Sequence, residues 1–485
     1  MSLLSIRIEE LINESGESVQ ALAQMGNISR TTLQRVKSGE RLPPKKFFQS
    51  MCRALRLSAT EVEELETLLE IATVGEDVSF TRQKIIELIE TISELTEYKI
   101  PFSKQIRLNE IDSKIKPHSQ MTEIISGERK VLEIIRNCID RELFLSENPQ
   151  LKLALPYEKV YRYIFHQMMG NQKQLSLQDV INLKKEPDQD EKIGRSEISQ
   201  LKYLIALSLL ENVEHQSRYY YQSPDLNFEQ SALFPYFMLT SESVITVSRD
   251  FKQAVLYNDP GIVKLHEDGY NRMQACVESF IEESRDLLTI YSTKDIAKSK
   301  QVVEPLPCFA YYFTDDLLEK KIRKDFPYYE QLKNIACEFY GNFRKENPTM
   351  LNVFSLKNLR RFMLDGSLYF PEEVYTPFTP SERIMLVRQL RDDLYHDRRK
   401  TYALNDEKIF LNSAIEFVNE YSRIRLILHY YNHKKLVFKT IVLQEKNIVK
   451  AFDDFFDSLP GSKYVLAKEE TIAEIDKLIN EFENK

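Results

Sequence analysis

The sequence predicts a mainly α-helical chain with an α+β C-terminal region, and three observations lead there. Leu, Ile, Glu and Lys are abundant while only 12 of 485 residues are Gly, a balance that favours helices. Apolar residues recur at helical spacing through residues 1–70. From about residue 233 the texture changes to short β-prone runs separated by turn residues. A chain of this length exceeds one typical core, so several domains are expected. The reading divides it into 1–70, a compact helical head; 71–125, a helical linker or dimerisation segment; 126–230, a helical subdomain; and 231–485, an α+β sensing and dimerisation domain.

The head reads as five short helices. Ile6, Ile8, Leu11 and Ile12 make the first amphipathic stripe, which Gly16 ends. Ser18 stands before a second helix with Val19, Leu22, Ala23 and Met25. Gly26-Asn27 marks a turn, since Asn is among the few non-Gly residues that accept a left-handed backbone. Ser29 caps a third helix, Arg30 to Lys37, whose apolar points are Leu33 and Val36, and Ser38-Gly39 stops it. A fourth helix after Pro43-Pro44 carries Phe47, Phe48, Met51, Cys52 and Leu55. Ser58 and Glu61 form a capping-box pattern for the fifth, with Val62, Leu65, Leu68 and Leu69.

Charge singles out the same region. Between Arg30 and Arg56 lie eight basic residues (Arg30, Arg35, Lys37, Arg41, Lys45, Lys46, Arg53, Arg56) and one acid, Glu40, within a chain whose net charge is −8. A local cationic excess of this kind is what phosphate neutralisation requires.

The stretch Leu22-Ala23, Ile28-Ser29-Arg30-Thr31-Thr32-Leu33-Gln34-Arg35, Ser38-Gly39 and Pro43 resembles the Cro/CI-type (XRE) helix-turn-helix family. The resemblance covers about the first seventh of the chain. Val19 stands where the family usually has Gln, with Gln20 next to it, and Val36 replaces an aromatic common late in helix three. The resemblance implies a five-helix, lambda-repressor-like fold whose third helix enters the major groove of double-stranded DNA. It then makes Arg30, Thr31, Thr32 and Gln34 candidates for reading bases, since Arg and Gln can bond guanine or adenine with two hydrogen bonds and Thr can touch a thymine methyl. Arg35, Lys37 and Arg41 would clamp the phosphate backbone, with Gln20 and the cap Ser29 beside them.

Behind the head, Thr81 to Leu95 carries Ile85, Ile86, Leu88, Ile89, Ile92 and Leu95, which suits either a dimerisation helix or packing against a neighbour. Helices are expected at Val131–Phe144, Tyr157–Met169 and Leu201–Leu210, and an exposed loop at Lys184–Lys192. No 34-residue self-similarity appears, so tetratricopeptide-like repeats are not supported. Strands are expected at 233–239, 244–247, 253–257, 286–291 and 350–354, with helices at 315–323, 328–343 and 381–395. A hairpin over 424–443, turning near Asn432-His433, and helices at 448–456 and 471–482 close the chain.

Hydrophobic content of 42% and charged content of 29% suit a globular protein. No apolar run approaches the ~20 residues of a membrane span, and no basic-then-apolar leader opens the sequence, so a cytoplasmic protein with no membrane partner is expected. The five cysteines (Cys52, Cys138, Cys276, Cys308, Cys337) form no CxxC pair and read as reduced thiols. HExxH, GxxxxGK[ST], GxGxxG and GxSxG are absent, so no catalytic residue, metal or cofactor is assigned. Arg391 and His396 have the R-x4-6-H spacing of HEPN ribonucleases, which keeps an RNA-cleaving toxin or defence component as the alternative. The aromatic runs Tyr219-Tyr220-Tyr221, Tyr311-Tyr312-Phe313 and Phe452, Phe455, Phe456 suit core packing or an apolar pocket. The leading expectation is a homodimeric, sequence-specific transcription regulator whose C-terminal region answers to a small-molecule or peptide effector.

Overall fold

The computed structural model describes residues 2–97, 121–155, 158–169, 171–184, 195–222, 233–284, 299–326, 329–346, 350–368, 374–432 and 435–483. It is an α+β protein of two compact units, the first running to Lys84 and the second taking up the chain at Ile85. No helix among the described residues is long and apolar enough to cross a membrane.

The first unit holds α1 (Leu3–Glu14), α2 (Val19–Met25), α3 (Arg30–Lys37), α4 (Lys45–Ala54) and α5 (Ala59–Val74). Their apolar stripes meet in one small core built on Leu4, Ile8, Leu22, Leu33, Val36, Phe48, Met51 and Leu65. Ser2, Ser18, Ser29 and Ser58 cap α1, α2, α3 and α5 by accepting from backbone N–H groups, and Ser58 with Glu61 completes a reciprocal capping box. Arg7 on α1 reaches Glu64 on α5 at 3.1 Å.

The division between the units falls within α6 (Glu76–Glu97). Ile85, Ile86, Leu88, Ile89 and Ile92 are buried in the main core of the second unit, so the stripe packs at home. Asn412 ties this helix down by donating to Ser93 O at 2.9 Å and Thr96 Oγ1 at 3.1 Å. The rest of the 71–125 segment, residues 98–120, lies outside the described residues.

The second unit is organised by one mixed sheet of β1 (Thr122–Ser126), β2 (Gln150–Ala154), β3 (Leu175–Lys184), β4 (Val213–Gln222), β5 (Tyr236–Leu239), β6 (Val244–Val247), β7 (Gln253–Tyr257), β8 (Glu278–Ser284), β9 (Gln301–Glu304), β10 (Leu351–Ser355), β11 (Lys400–Leu404), β12 (Ile415–Asn419), β13 (Ile424–Asn432) and β14 (Lys435–Leu443). The spatial order is β1-β7-β6-β5-β2-β3-β4-β8-β14-β13-β12-β9-β10-β11. Its helices are α7 (Glu128–Leu145), α8 (Glu158–Met169), α9 (Arg195–Leu209), α10 (Pro260–Gln274), α11 (Asp315–Lys321), α12 (Tyr329–Glu346), α13 (Leu356–Asp365), α14 (Pro380–Tyr395), α15 (Lys446–Ser458) and α16 (Lys468–Glu483).

The order contains the same motif twice. β7-β6-β5-β2-β3-β4 and β14-β13-β12-β9-β10-β11 each have three parallel strands followed by an antiparallel meander. The hairpins β5–β6 and β12–β13 both turn through four residues, and both last strands lead through two residues into a helix, α10 or α15, capped by Asp259 or Glu445. β8 joins the copies by pairing with β4 on one side and β14 on the other. The duplication is one of topology.

Two expectations need correcting here. Residues 126–230 are not a helical subdomain: the helices α7, α8 and α9 are present, but β2, β3 and β4 alternate with them and belong to the large sheet. The β4 sequence, VEHQSRYYYQ, hides its strand character because His215 and Ser217 rather than aliphatics point inward, where Asp179 satisfies them. For the same reason no boundary stands at 231, since one sheet runs from Thr122 to Leu443. The 244–247, 253–257 and 424–443 strands lie where periodicity puts them. The loop expected over 184–192 falls mostly outside the described residues, Lys184 itself closing β3. The strand expected at 286–291 and the turn at His433 also lie outside them.

One glycine is required by close approach. Gly366 ends α13 with φ 75°, and a Cβ there would lie 2.1 Å from Phe378 O. Gly366→Ala is expected to cost the second unit about 3 kcal/mol or more, because both the left-handed backbone and the carbonyl contact oppose it. A urea melt followed by tyrosine fluorescence measures this, and a loss near ~0.5 kcal/mol, ordinary for a surface change, would contradict it.

Candidate nucleic-acid interface

α2 and α3 are joined by a short corner that leaves little choice of residue. Gly26 faces Ala54 Cβ and Ser50 O, each 3.1 Å from where its own Cβ would be, so a side chain there would press on α4. Asn27 takes the left-handed conformation at φ 48°. Ser29 then starts α3 by accepting from Thr32 N at 3.3 Å. Leu33 and Val36 anchor the helix, each about 98–99% buried.

Fixing Leu33 and Val36 inward turns the opposite arc of α3 outward. Arg30, Thr31, Gln34 and Arg35 share that exposed arc, while Thr32 and Lys37 are half-buried at its borders. Gln20 is exposed on the first turn of α2, and Arg41 is exposed in the loop after α3. Arg30, Gln34 and Arg41 make no side-chain hydrogen bond or ion pair among the described residues. Arg35 has a distant carboxylate, Glu40, at 3.9 Å, and Lys37 is tied to Glu9 on α1 at 3.3 Å. Lys37 is therefore the least available of the four cations nearest the α3 arc. Further along, Lys45, Lys46, Arg53 and Arg56 are all exposed. The arrangement can present planar, multidentate donors to base edges and fixed positive charge to a polyanion.

The second unit has no comparable constellation at the positions singled out from sequence. Arg391 bonds Asp476 at 3.0 Å and lies over the Tyr395 ring, whereas His396 is exposed at the end of α14. That Arg is committed to a structural carboxylate rather than paired with the histidine. Phe452, Phe455 and Phe456 are core residues, as are Tyr219 and Phe313. No group of three or more His, Cys, Asp or Glu side chains able to hold a metal occurs among the described residues.

Sequence reasoning passed over a buried polar chain between β3, β4 and α9. His215 Nε2 lies 2.5 Å from Asp179 Oδ2, Ser208 Oγ lies 2.9 Å from His215 Nδ1, and Ser217 donates to Asp179 Oδ1 at 2.6 Å. A carboxylate only accepts, so Nε2 carries the hydrogen. The His215 and Asp179 side chains have no exposed surface, so no substrate reaches them and the chain serves the core.

Comparison with known proteins adds little to this geometry. No family model matches the chain, and no curated protein does. Among solved structures, TrmBL2, an archaeal chromatin protein described with a novel mode of DNA binding, aligns at 11% identity and TM-score 0.23 over 56% of this chain and 99% of its own. A polyphosphate kinase from Porphyromonas gingivalis aligns at 10% identity and TM-score 0.20 over 75% of this chain, which spans about half (56%) of the kinase. Neither likeness is close enough to argue from.

Proposed function

We propose that the chain is a sequence-specific DNA-binding transcription regulator. In this reading the first unit is a five-helix, lambda-repressor-like head whose α3 lies in the major groove, and the protein acts in the cytoplasm as a homodimer. The second unit senses a small-molecule or peptide effector and shifts the affinity of the paired heads. The observation that carries the reading is the outer arc of α3: a guanidinium and an amide, Arg30 and Gln34, exposed and uncommitted within a strongly cationic stretch of an otherwise anionic chain. Unpaired guanidinium groups on a rigid helix are ready for bidentate contact without first breaking internal bonds.

Selection from a random pool of duplex oligonucleotides, followed by gel-shift titration of the enriched sequence, tests the reading. An enriched motif whose affinity falls steeply between low and moderate salt is expected. Binding to no duplex even in dilute buffer would overturn it. Within the same assay, Lys45→Ala is expected to lower affinity for all sequences alike and to flatten the salt dependence by about one charge. A sequence-dependent loss would mean that Lys45 reads bases instead.

A further inference from the structure

The sheet of the second unit lacks a rung where its two copies of the strand pattern meet. β4 and β8 pair only at Ser217 with Ile281, Arg218 with Ser279 and Tyr219 with Glu278. Continuing that register past Ser217 would set Gln216 against Glu282 and His215 against Glu283, and neither pairing forms. β3 holds β4 over its whole length, and β14 holds β8 from Ile281 to Ser284. Residues 213–216 of β4 and 282–284 of β8 therefore have a strand on one side only. A cavity of 590 Å³ opens between them.

The walls of this cavity are strand edges rather than a sheet face. Residues 213–218 line it without a gap, whereas a strand that offers a face contributes every second residue. Leu175 N donates to Asn212 O at 2.9 Å, so even-numbered residues at the start of β4 turn their N–H and C=O groups to β3 and odd-numbered ones turn away. His215 thus directs both backbone groups at the cavity. Its side chain has no exposed surface, yet the residue is 7% exposed, so the accessible part is backbone. Ser217 faces β8 by the same alternation, which makes Ser217–Ile281 a hydrogen-bonded rung. The backbone of Glu283, two residues beyond Ile281, then faces the cavity from the opposite wall.

Charge at the cavity is unbalanced. Glu211, Glu214, Glu283 and Arg218 line it. Glu211 and Glu214 are exposed, Arg218 donates to Gln274 O at 3.1 Å, and Glu283 lies 2.8 Å from the buried Lys439. Three carboxylates against Arg218 and Lys439 leave a net negative charge.

From the missing rung between His215 and Glu283 and the cavity that stands in its place, we propose that the β4–β8 cleft takes an extended peptide of about four residues carrying one basic side chain. The peptide would complete the sheet across the joint, its backbone bonding His215 on one side and Glu283 on the other, as strand addition does at an open edge. β4 and β8 are antiparallel, so a strand between them runs antiparallel to one of them in either direction. Four residues at about 3.3 Å each match the unpaired start of β4. The basic side chain answers Glu211 and Glu214. The buried chain of Asp179, His215 and Ser217 keeps its own bonds, because the peptide meets only backbone there. The proposal narrows the effector of the regulator reading to a peptide and rests on that reading for the effector role alone. Peptide binding is measured without DNA, so failure of one is distinguishable from failure of the other.

The probe is a pool of capped tetrapeptides with one lysine each, equilibrated with the full chain and read by mass spectrometry of what is retained. The best member, carrying a fluorophore, is then titrated by polarisation. Methylating its backbone nitrogens keeps the side chains and removes the donors, and should weaken it at least tenfold. Replacing its lysine by norleucine, or introducing Glu211→Lys with Glu214→Lys, should weaken it about three- to tenfold at low salt and far less in strong salt. Both glutamates are exposed, so a thermal melt of the double variant should match the wild type. Hydrogen exchange supplies a readout at the site: the His215 amide should slow about tenfold or more when the peptide binds. Retention of no tetrapeptide would overturn the proposal. So would equal affinity of the N-methylated peptide, or an unchanged exchange rate at His215. Protection of residues 213–216 that grows with protein concentration alone would place a second copy of the chain in the cleft and overturn it too.

Discussion

An Arg30→Ala/Gln34→Ala double variant is expected to lose sequence-specific DNA binding while keeping a salt-sensitive, unspecific residue of affinity. Each good bidentate base contact discriminates by about 1–3 kcal/mol, so the pair should cost about 2–6 kcal/mol, or roughly 30-fold to 25,000-fold, on the selected duplex. The loss should be far smaller on scrambled duplex, because the remaining cations from Arg35 to Arg56 still meet phosphates. Stability should hardly change, since both side chains are exposed and make no side-chain hydrogen bond or ion pair among the described residues. Parallel gel shifts on the two duplexes, with a thermal melt as the control for folding, separate these outcomes. Equal affinity of wild type and double variant for the selected duplex would remove α3 as the reading element.

Asp179→Ala should be the most damaging single substitution in the second unit. It removes the acceptor of two buried donors at once, His215 Nε2–H at 2.5 Å and Ser217 Oγ–H at 2.6 Å, beneath the surface of the sheet. Each orphaned donor costs about 1–3 kcal/mol, and the hole left behind adds to that, giving about 3–5 kcal/mol in all. Chemical denaturation of the second unit provides the measurement. Asp179→Leu combined with His215→Leu and Ser217→Ala should recover part of the loss, since apolar groups then replace the whole network rather than half of it. A single-variant loss below about 1 kcal/mol would show that solvent or another group already shares the load.

Local signals in the sequence were easiest to read where one residue type meets one physical demand. Ser18, Ser29 and Ser58 cap the helices that follow them, and Gly26-Asn27 makes the corner between α2 and α3. Leu33 and Val36 define the inner side of α3 and hence its outer arc. The terminal hairpin over Ile424–Leu443 was legible because apolar and polar residues alternate along it. Strands β2 to β4 were not, because they are interleaved with helices and carry Asp179, His215 and Ser217 facing inward. A buried polar residue looks like a surface residue until its partner is known, and these partners lie 36 to 38 positions apart in the chain. That the antiparallel register of β9 and β12 sets Glu304 opposite Glu416 was invisible for the same reason: over a hundred residues separate them, and neither sits in a motif.

By itself the sequence determined which segments are helical in the head, where they start and stop, and where positive charge collects, because caps, turns and charge are properties of residues a few positions apart. Only the tertiary structure decided that the described strands of the body form one sheet holding the same strand pattern twice, and that the Ile85–Ile92 stripe packs into the core beside it. It alone decided which carboxylates meet a cation and which meet each other. Strand order and buried pairing depend on contacts between distant positions, and the energy of an ionisable group depends on what surrounds it rather than on its neighbours in the chain.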